Sequence, residues 1–489
     1  MSVEQAAAPT GPATSPQLRW VMGGIALLAV VAAALGIGVA PMPGEHLAVD
    51  EPQYWFTALS LAKDGDLDIS DELAERRWAQ FSDAAPPVET VLLPSGRQIS
   101  PHDPLLPLLL AVPVAAGGWV GAKLAMALLA GVLAAATVWT AVRRLAVPLP
   151  LAGTGVGLAA ASAPLAVYGQ QLYPELPAAL ACLLGVAALT GPLRRLPLVL
   201  LAAAVVALPW LSVKYTPVAG VLAGLAALRW WRTGQRREVL VLGGALAVAA
   251  ALYLAAHRVV WGGWTVYASG DYFQDKGEFA VVGVDPDYLA RTWRLVGLLV
   301  DRDFGLGGWQ PGWLLLVPAV AALLARPPRR SDGGRLGAAP LVAPLVAGWL
   351  VATFLALTMH GWWWPGRQTV VVLPLALLAV LCWLTRHGSA LRTAAAVLGL
   401  AGVSSYAALL VEGWAGHLVW VSYSHPTGYS QVNAPVYQVL RPLLPAFRDH
   451  VGHLIWAVAL TLLAVTAWRV SRVQDRWRRT GPARIHHRE

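Results

Sequence analysis

Twelve long apolar segments constrain the fold of this chain more than any other feature of its sequence. Most are close to the roughly 17–25 apolar residues that a helix needs to cross the hydrocarbon core of a bilayer. The predicted transmembrane helices comprise residues 20–40, 119–142, 148–167, 174–190, 197–211, 217–231, 239–257, 309–325, 338–358, 369–384, 393–411 and 451–470. Because 57% of the residues are hydrophobic and only 13% are charged, we expect an all-α polytopic membrane protein with about twelve transmembrane helices.

The basic residues indicate how these helices are oriented. The segment 104–116 is apolar but short and rich in proline, so we interpret it as an interfacial or re-entrant helix. The arginine clusters of alternate loops then all lie on one side, which the positive-inside rule makes cytoplasmic. Both termini are expected on that side. The first apolar segment is interpreted as a retained anchor, because Pro41 follows Ala40, the one candidate residue for signal-peptide cleavage.

This topology predicts one membrane-embedded domain, residues 20–470, between two cytoplasmic tails at 1–19 and 471–489. Outer loops are expected at 41–118, 258–308 and 412–450. The net charge of +9 then reflects loop orientation in a bilayer, and no nucleic-acid partner is needed to explain it. The basic C-terminal tail is expected to contact anionic lipid headgroups.

Several kinds of chemistry lack their usual sequence signatures. The chain has no Gly-rich phosphate loop ending in Lys and Ser/Thr, no HExxH and no paired CxxC motif, so neither ATP-driven transport nor zinc chemistry is supported. The two cysteines, Cys182 and Cys382, both fall inside apolar segments. We interpret them as small buried side chains and not as a disulfide.

Two adjacent carboxylates, Asp50 and Glu51, follow the first predicted helix on its outer side. Further polar outliers occur at the outer ends of other apolar segments: Lys123, Glu175, Lys214, His360 and Arg367. Charged groups at membrane depth are costly and usually face a cavity or a partner. We therefore expect an outward-facing polar chamber, in which a carboxylate accepts a proton from an attacking hydroxyl while Lys and Arg stabilise a leaving phosphate.

Three stretches of the chain carry a family resemblance. "VDEPQYWFTALSLAKDGDLDI", "SPHDPLLPLLLAVPVAAGG" and "GWWWPGRQTVVVLPLALL" resemble the polyprenyl-phosphate-dependent glycosyltransferases of the GT-C superfold, which include protein O-mannosyltransferases and lipid A aminoarabinose transferases. The resemblance implies a GT-C-like fold with amphipathic helices in the first outer loop. It also implies an Asp-Glu pair followed by an aromatic residue, matched by Asp50, Glu51 and Tyr54, with the Asp as catalytic base. The segment from His102 resembles the motif that follows this loop, but "HDPLLP" lacks its double proline.

On this resemblance we expect an inverting glycosyltransferase on the outer face of the cell membrane, acting in cell-envelope glycan or glycoconjugate assembly. It would move a sugar from a polyprenyl-phosphate donor to a hydroxyl of a glycan, lipid or protein acceptor. Asp50 would deprotonate that hydroxyl and Glu51 would orient it. We expect the donor phosphate to bind Lys214, Arg367, Arg76 and Arg77, and further substrate contacts from Tyr54, His102, Asp103, His360 and Trp363. No cofactor and no obligatory metal are expected. A divalent metal at Asp66 and Asp68 is the alternative to a turn there.

Simpler interpretations of the same residues stay open. Asp50 could cap the helix that follows it, and Glu175 could merely favour a helix N-terminus. Lys214 and Arg367 could snorkel to the interface, and the tryptophans 362–364 could form an aromatic belt.

Three other functions also stay open. A lipid-linked glycan ligase or polymerase would depend on late-loop residues such as Arg441, Arg448, His417, His425 and His450, and would leave Asp50 dispensable. A secondary transporter would need internal repeats, of which we see none that is clear. A noncatalytic membrane scaffold would tolerate the loss of all outer charges.

Overall fold

The computed structural model describes residues 15–87, 89–93, 96–192, 194–264, 286–328, 337–421 and 434–480, and most of these residues are helical. The α-helices of the first half are α1 Ser15–Gly36, α2 Glu51–Lys63, α3 Ser70–Ala74, α4 Leu105–Leu145, α5 Leu149–Ala160, α6 Leu165–Tyr168, α7 Glu175–Leu189, α8 Arg195–Leu211, α9 Thr216–Arg232 and α10 Arg236–Val260. Short 3₁₀ helices lie at Arg77–Gln80 and Val213–Tyr215.

Nine further α-helices lie among the described residues of the second half. They are α11 Tyr288–Arg291, α12 Arg294–Val300, α13 Leu306–Trp309, α14 Leu316–Ala325, α15 Ala339–Leu350, α16 Leu373–Leu384, α17 Ser389–Trp414, α18 Pro435–Leu440 and α19 His450–Thr480. One π-helical turn, Val351–Leu355, continues α15. Short 3₁₀ helices lie at Pro311–Leu315, Arg367–Val372 and Arg441–Leu443.

All twelve predicted apolar segments contain helix, and the chain is a helical membrane protein. Among the described residues, six helices are long and apolar enough to cross a bilayer: Pro16–Gly36, Leu105–Leu145, Arg236–Val260, Arg367–Leu384, Ser389–Trp414 and His450–Gln474. Most of the other predicted spans are shorter apolar helices of 10–17 residues. Some are interrupted, as where the predicted helix 148–167 divides into α5 and α6 around Pro164, because proline supplies no backbone N–H to an uninterrupted helix.

A sharp kink separates the predicted interfacial segment 104–116 from the predicted helix that follows it. Both belong to α4, but Gly117 and Gly118 leave helical geometry, and Gly118 has φ +56° and ψ −142°. A side chain would be strained in that conformation, so glycine is required there. The close return of the chain is also evident at Gly121, where an added Cβ would lie 2.3 Å from the carbonyl oxygen of Pro113.

The first loop is more deeply packed than the amphipathic pattern predicted. Residues 51–60 of α2 are all buried, and α2 packs along α4, which also packs against α1. Trp55 contacts Phe56 and Phe81 edge-on, with ring centroids 5.6 Å and 5.2 Å away. Burying a large apolar side chain contributes roughly 1.5–3 kcal/mol, so this aromatic group fixes α2, and with it the residues at its N-terminus.

A two-stranded antiparallel hairpin, β1 Val91–Leu92 and β2 Gln98–Ile99, completes the loop. Asp68 forms an isolated bridge with Ile99. The loop therefore returns to the end of α2 before α4 begins.

Candidate active site

The carboxylate of Asp50 faces an arginine from the other half of the chain. Arg367 donates a hydrogen bond through one terminal nitrogen to Asp50 Oδ2 at 2.7 Å. Asp50 is the N-cap residue of α2, but its side chain makes no capping hydrogen bond. The simple capping interpretation therefore does not describe this side chain, which instead closes a long-range ion pair.

Glu175 joins Arg367 to Lys214. Its Oε1 accepts a hydrogen bond from Arg367 Nε at 3.0 Å and from Lys214 Nζ at 2.8 Å. The Glu175 side chain is fully buried, Arg367 is 7% exposed and Lys214 is 17% exposed. Because Arg367 and Lys214 both have a buried carboxylate partner, simple snorkelling to the interface does not account for them.

Local backbone geometry fixes the position of Arg367. Gly366 has φ +82°, and an added Cβ would lie 2.8 Å from Leu306 Cδ2, so this tight turn requires glycine. Tyr168 donates its hydroxyl to the carbonyl oxygen of Trp364 just before the turn. The Arg367 guanidinium also lies 3.9 Å from the ring centroid of Tyr173, which adds a cation–π contact.

Glu51 occupies a different environment from its neighbour Asp50. It is 1% exposed, and its carboxylate accepts hydrogen bonds from the backbone N–H groups of Ala48 at 3.2 Å and Leu172 at 2.9 Å. Lys123 Nζ lies 3.7 Å away and donates to Gln170. These contacts occupy the carboxylate and tie the start of α2 to the chain before α7, and the role of Glu51 in orienting the acceptor stays a prediction.

Tyr54 and His102 stack beside Asp50, with ring centroids 4.6 Å apart. Burial lowers the pKa of His102, and Asp50 opposes that shift only in part, so the imidazole is neutral near pH 7. Burial also disfavours the charged form of Asp50, but Arg367 outweighs it and the pKa of Asp50 lies below its ordinary value. At neutral pH the pair is therefore a carboxylate and an uncharged ring.

Asp103 anchors the loop and makes no contact that would reserve it for a substrate. It accepts hydrogen bonds from the Val213 N–H and the Tyr253 hydroxyl, both at 3.0 Å, and His257 Nε2 lies 3.0 Å from its Oδ1. Val213 precedes Lys214. Asp103 thus holds the turn that carries Lys214, and its contact with a substrate stays a prediction.

Three other predicted site residues lie outside the group of Asp50, Glu175, Lys214 and Arg367. Arg77 pairs with Glu75 at 2.5 Å, and Arg76 lies over the ring of Trp78, so both belong to the loop surface. His360 contacts Phe304 and Phe447 and lies 3.6 Å from Asp301.

The three consecutive tryptophans have different surroundings. The ring of Trp363 lies 5.3 Å from the Arg367 guanidinium, next to the candidate site. Trp364 is fully buried, whereas Trp362 is 46% exposed. A common aromatic belt therefore describes only part of this run.

Among the described residues, two groups of carboxylate or histidine side chains lie close enough together to hold a metal ion. Asp50, Glu89 and His102 place ligand atoms within 4.8 Å of one another, and so do Asp64, Asp71 and Glu72. The predicted Asp66 and Asp68 pair is used otherwise. Asp66 accepts hydrogen bonds from Ser60 and from the Asp68 N–H, and Asp68 accepts hydrogen bonds from Ser70 and from the Gln98 N–H. These contacts agree with the interpretation of this pair as part of a turn.

Sequence reasoning noticed two further residues but gave them no role. Glu175 had a sufficient explanation in its position at the start of a helix, and Lys123 lay inside an apolar segment without a visible partner. Only the cost of a charge at membrane depth pointed to them. Among the late-loop residues, His417 is exposed and pairs with Glu412, and His425 lies outside the described residues.

The described helices give this chain the fold of a helical membrane protein. It is similar to ArnT from Cupriavidus metallidurans, a GT-C enzyme. The crystal structure of ArnT bound to undecaprenyl phosphate matches with a TM-score of 0.52 and 15% sequence identity, covering 94% of this chain and 78% of that one. The apo state matches with a TM-score of 0.50 and 16% identity, covering 93% and 78%. No protein-family model and no curated protein matches the chain. The likeness confirms the predicted resemblance at the level of the fold.

Proposed function

We propose that this protein is an inverting glycosyltransferase that moves a sugar from a polyprenyl-phosphate donor to an acceptor hydroxyl. The observation that carries the proposal is the group of Asp50, Arg367, Glu175 and Lys214. In this group the partly exposed carboxylate of Asp50 pairs with Arg367, and Glu175 joins Arg367 to the second cation, Lys214. The fold likeness to ArnT, crystallised with undecaprenyl phosphate, supports the choice of a lipid-phosphate donor.

Arg367 and Lys214 supply the positive charge for the donor phosphate. Transfer converts a sugar phosphodiester into a phosphate monoester, so negative charge grows on the leaving phosphate as the glycosidic bond breaks. Two cations fixed by a shared buried carboxylate stabilise that charge without reorganising. The phosphate would compete with Glu175 and Asp50 for these cations, and Asp50 would be released toward the acceptor.

An apolar cavity among helices of the second half would take the polyprenyl chain. The cavity has a volume of about 500 Å³ and is lined mainly by apolar side chains of α12, α14, α15 and α19, including Trp349 and Leu350. The next turn, Val351–Leu355, packs against both Val213–Tyr215 and Arg367–Val372, which carry Lys214 and Arg367. A lipid tail in the cavity would thus have its phosphate near the two cations.

Asp50 is the base in this mechanism. As the acceptor oxygen bonds to the anomeric carbon, its proton passes to the Asp50 carboxylate and the electron pair of the sugar–phosphate bond leaves with the lipid phosphate. Attack from the face opposite the phosphate inverts the anomeric centre. The neutral stack of Tyr54 and His102 is buried beside Asp50 and would hold its carboxylate in position.

The site would open on the outer face of the membrane, with both termini inside. Along α4, Lys123 and Arg143 are about 30 Å apart at 1.5 Å per residue, the thickness of a hydrocarbon core. Arg144 and Arg229 donate to the carbonyl oxygens of Ala187 and Leu189 at the far end of α7 from Glu175. The basic ends of these helices therefore lie on the side opposite the candidate site. The positive-inside rule makes this basic side cytoplasmic.

The reaction would not require a metal, since Arg367 and Lys214 already carry the charge that a metal would supply. The acceptor would be a glycan, lipid or protein of the cell envelope.

The test is sugar transfer in membranes supplied with a panel of radiolabelled polyprenyl-phosphate sugars. We expect one donor to label an acceptor, with transfer lost in Arg367→Gln and kept in Arg77→Gln, a matched arginine that pairs on the loop surface. Equal transfer by both variants would remove the phosphate assignment. No transfer from any donor by the parent chain would favour the transporter function instead.

A further inference from the structure

A second acidic group lies at the other end of α2, away from the Asp50 group. It consists of Asp64, Asp71 and Glu72, whose carboxylate oxygens lie within 4.8 Å of one another. Asp64 is the C-cap residue of α2, while Asp71 and Glu72 lie in α3. Three acids gathered in this way repel one another unless something positive lies between them.

Glu72 is the unusual member of this group. It is fully buried, and in the part of the chain that the structure describes no N–H or hydroxyl group donates a hydrogen bond to its carboxylate oxygens, whose polar neighbour is the Asp71 carboxylate. The lysine nearest along the chain, Lys63, pairs instead with Glu75, as does Arg77. A buried carboxylate without donors must bind a cation or take up a proton.

The two aspartates between these acids, Asp66 and Asp68, are already satisfied by hydrogen bonds within the loop. Asp66 and Asp68 accept from Ser60, Ser70 and the Gln98 N–H, and the turn passes through Gly65 at φ +77°. The backbone is therefore held in place while the three remaining carboxylates converge. A geometry held by other contacts is what a preformed cation site needs.

We propose that Asp64, Asp71 and Glu72 bind a divalent cation, Ca²⁺, that clamps the C-terminus of α2 to α3. Two oxygens on one Ca²⁺ are at most about 5 Å apart, since Ca–O distances are 2.3–2.6 Å, and Ca²⁺ accepts a flexible shell completed by water. Mg²⁺ demands near-ideal octahedral geometry at about 2.1 Å and keeps several of its waters, so a site made of three protein carboxylates suits Ca²⁺ better. The clamp fixes the helix whose other end begins at Asp50, and it does not depend on the proposed transferase activity.

The test is equilibrium binding of ⁴⁵Ca²⁺ to the purified full chain in detergent, after treatment with EDTA and desalting. We expect one ion per chain with a Kd on the order of 10⁻⁴–10⁻³ M, weakened at least tenfold in Asp71→Asn and Glu72→Gln. Glu75→Gln, three residues further on and outside the group, should bind as the parent does. Asp50→Asn should also bind normally, which separates this site from the group of Asp50, Glu89 and His102.

Thermal unfolding gives a second readout that does not need the radioisotope. Ca²⁺ should raise the melting temperature of the parent chain and of Glu75→Gln but not that of Glu72→Gln. If Glu72→Gln does not fold, the exposed Asp64→Asn takes its place. A folded parent chain that binds no Ca²⁺ up to 10 mM, a Kd unchanged in both Asp71→Asn and Glu72→Gln, or equal competition by Mg²⁺ would overturn the assignment.

Discussion

Replacing Glu175 by Gln should make the protein less stable and yet make it bind lipid phosphate more tightly. Glu175 is buried and bonds both Arg367 and Lys214, at 3.0 Å and 2.8 Å. Its loss leaves Arg367 with Asp50, but leaves Lys214 with the uncharged Gln368 side chain at 3.4 Å and the ring of Tyr215. Removing one partner of a buried ion pair costs about 3–5 kcal/mol, and the side chain of Lys214 is only 17% exposed, so solvent repays little of that cost.

An incoming phosphate would take the place of the missing carboxylate. If it restores about 1.4–2.8 kcal/mol of the lost interaction, the affinity for undecaprenyl phosphate rises roughly 10–100-fold over the parent chain. The same binding should raise the melting temperature of Glu175→Gln by more than it raises that of the parent.

The assay is binding of undecaprenyl phosphate to the purified chain, followed by intrinsic tryptophan fluorescence and by thermal unfolding. Glu412→Gln is the control, because Glu412 pairs with the exposed His417 and lies outside the candidate site. A folded Glu175→Gln whose affinity is equal to or weaker than that of the parent would refute the assignment of the phosphate to Arg367 and Lys214.

Three further results are expected. Arg76→Gln and Arg77→Gln should each keep transfer within about twofold of the parent, because exposed ion pairs contribute little; a tenfold loss in either would return the loop arginines to the site. The pKa values of Asp50 and His102 are both lowered. The Asp50 carboxylate and the neutral His102 ring therefore persist as the pH falls, and each is protonated only below the pH range in which such a side chain ordinarily titrates. Plots of kcat/KM against pH should therefore stay level from about pH 8 to about pH 6.5, and a midpoint near pH 7 would contradict this. EDTA should leave kcat within about twofold well below the melting temperature, whereas equal loss of activity in the parent and in Glu72→Gln would indicate a catalytic metal.

The helices were predictable because each is a local property of the sequence. Each of the twelve predicted apolar segments contains helix, and among the described residues six helices are long and apolar enough to cross a bilayer. The glycine pair at 117–118 separates the predicted interfacial segment from the helix after it. The local pattern could not predict where a helix is interrupted, as between α5 and α6. It also missed the burial of α2, because the neighbours that cover it come from α4 and from the loop itself.

The site was predictable only residue by residue. Asp50 was predicted as a base and Arg367 as a phosphate ligand, but their direct contact joins positions 317 residues apart, and no local pattern encodes it. Glu175 was overlooked because a helix start already explained it, and Arg76 and Arg77 were included on charge alone. His360 likewise lies close to Asp301 and not to Asp50. Charge identifies candidates, whereas packing decides which of them meet.

Single-turnover transfer by Asp50→Asn tests the proposed mechanism most directly. The donor is the one identified by the panel, and the enzyme is in excess over it. The rate of sugar transfer is compared with that of the parent and with that of a control variant, Asp287→Asn. Asn keeps the helix cap that Asp287 makes with the Ala290 N–H. We predict a loss of about 10²–10⁴-fold in the transfer rate, with undecaprenyl phosphate bound at least as tightly as by the parent, because Arg367 is freed from its carboxylate. A transfer rate equal to that of the parent would show that Asp50 is not the base.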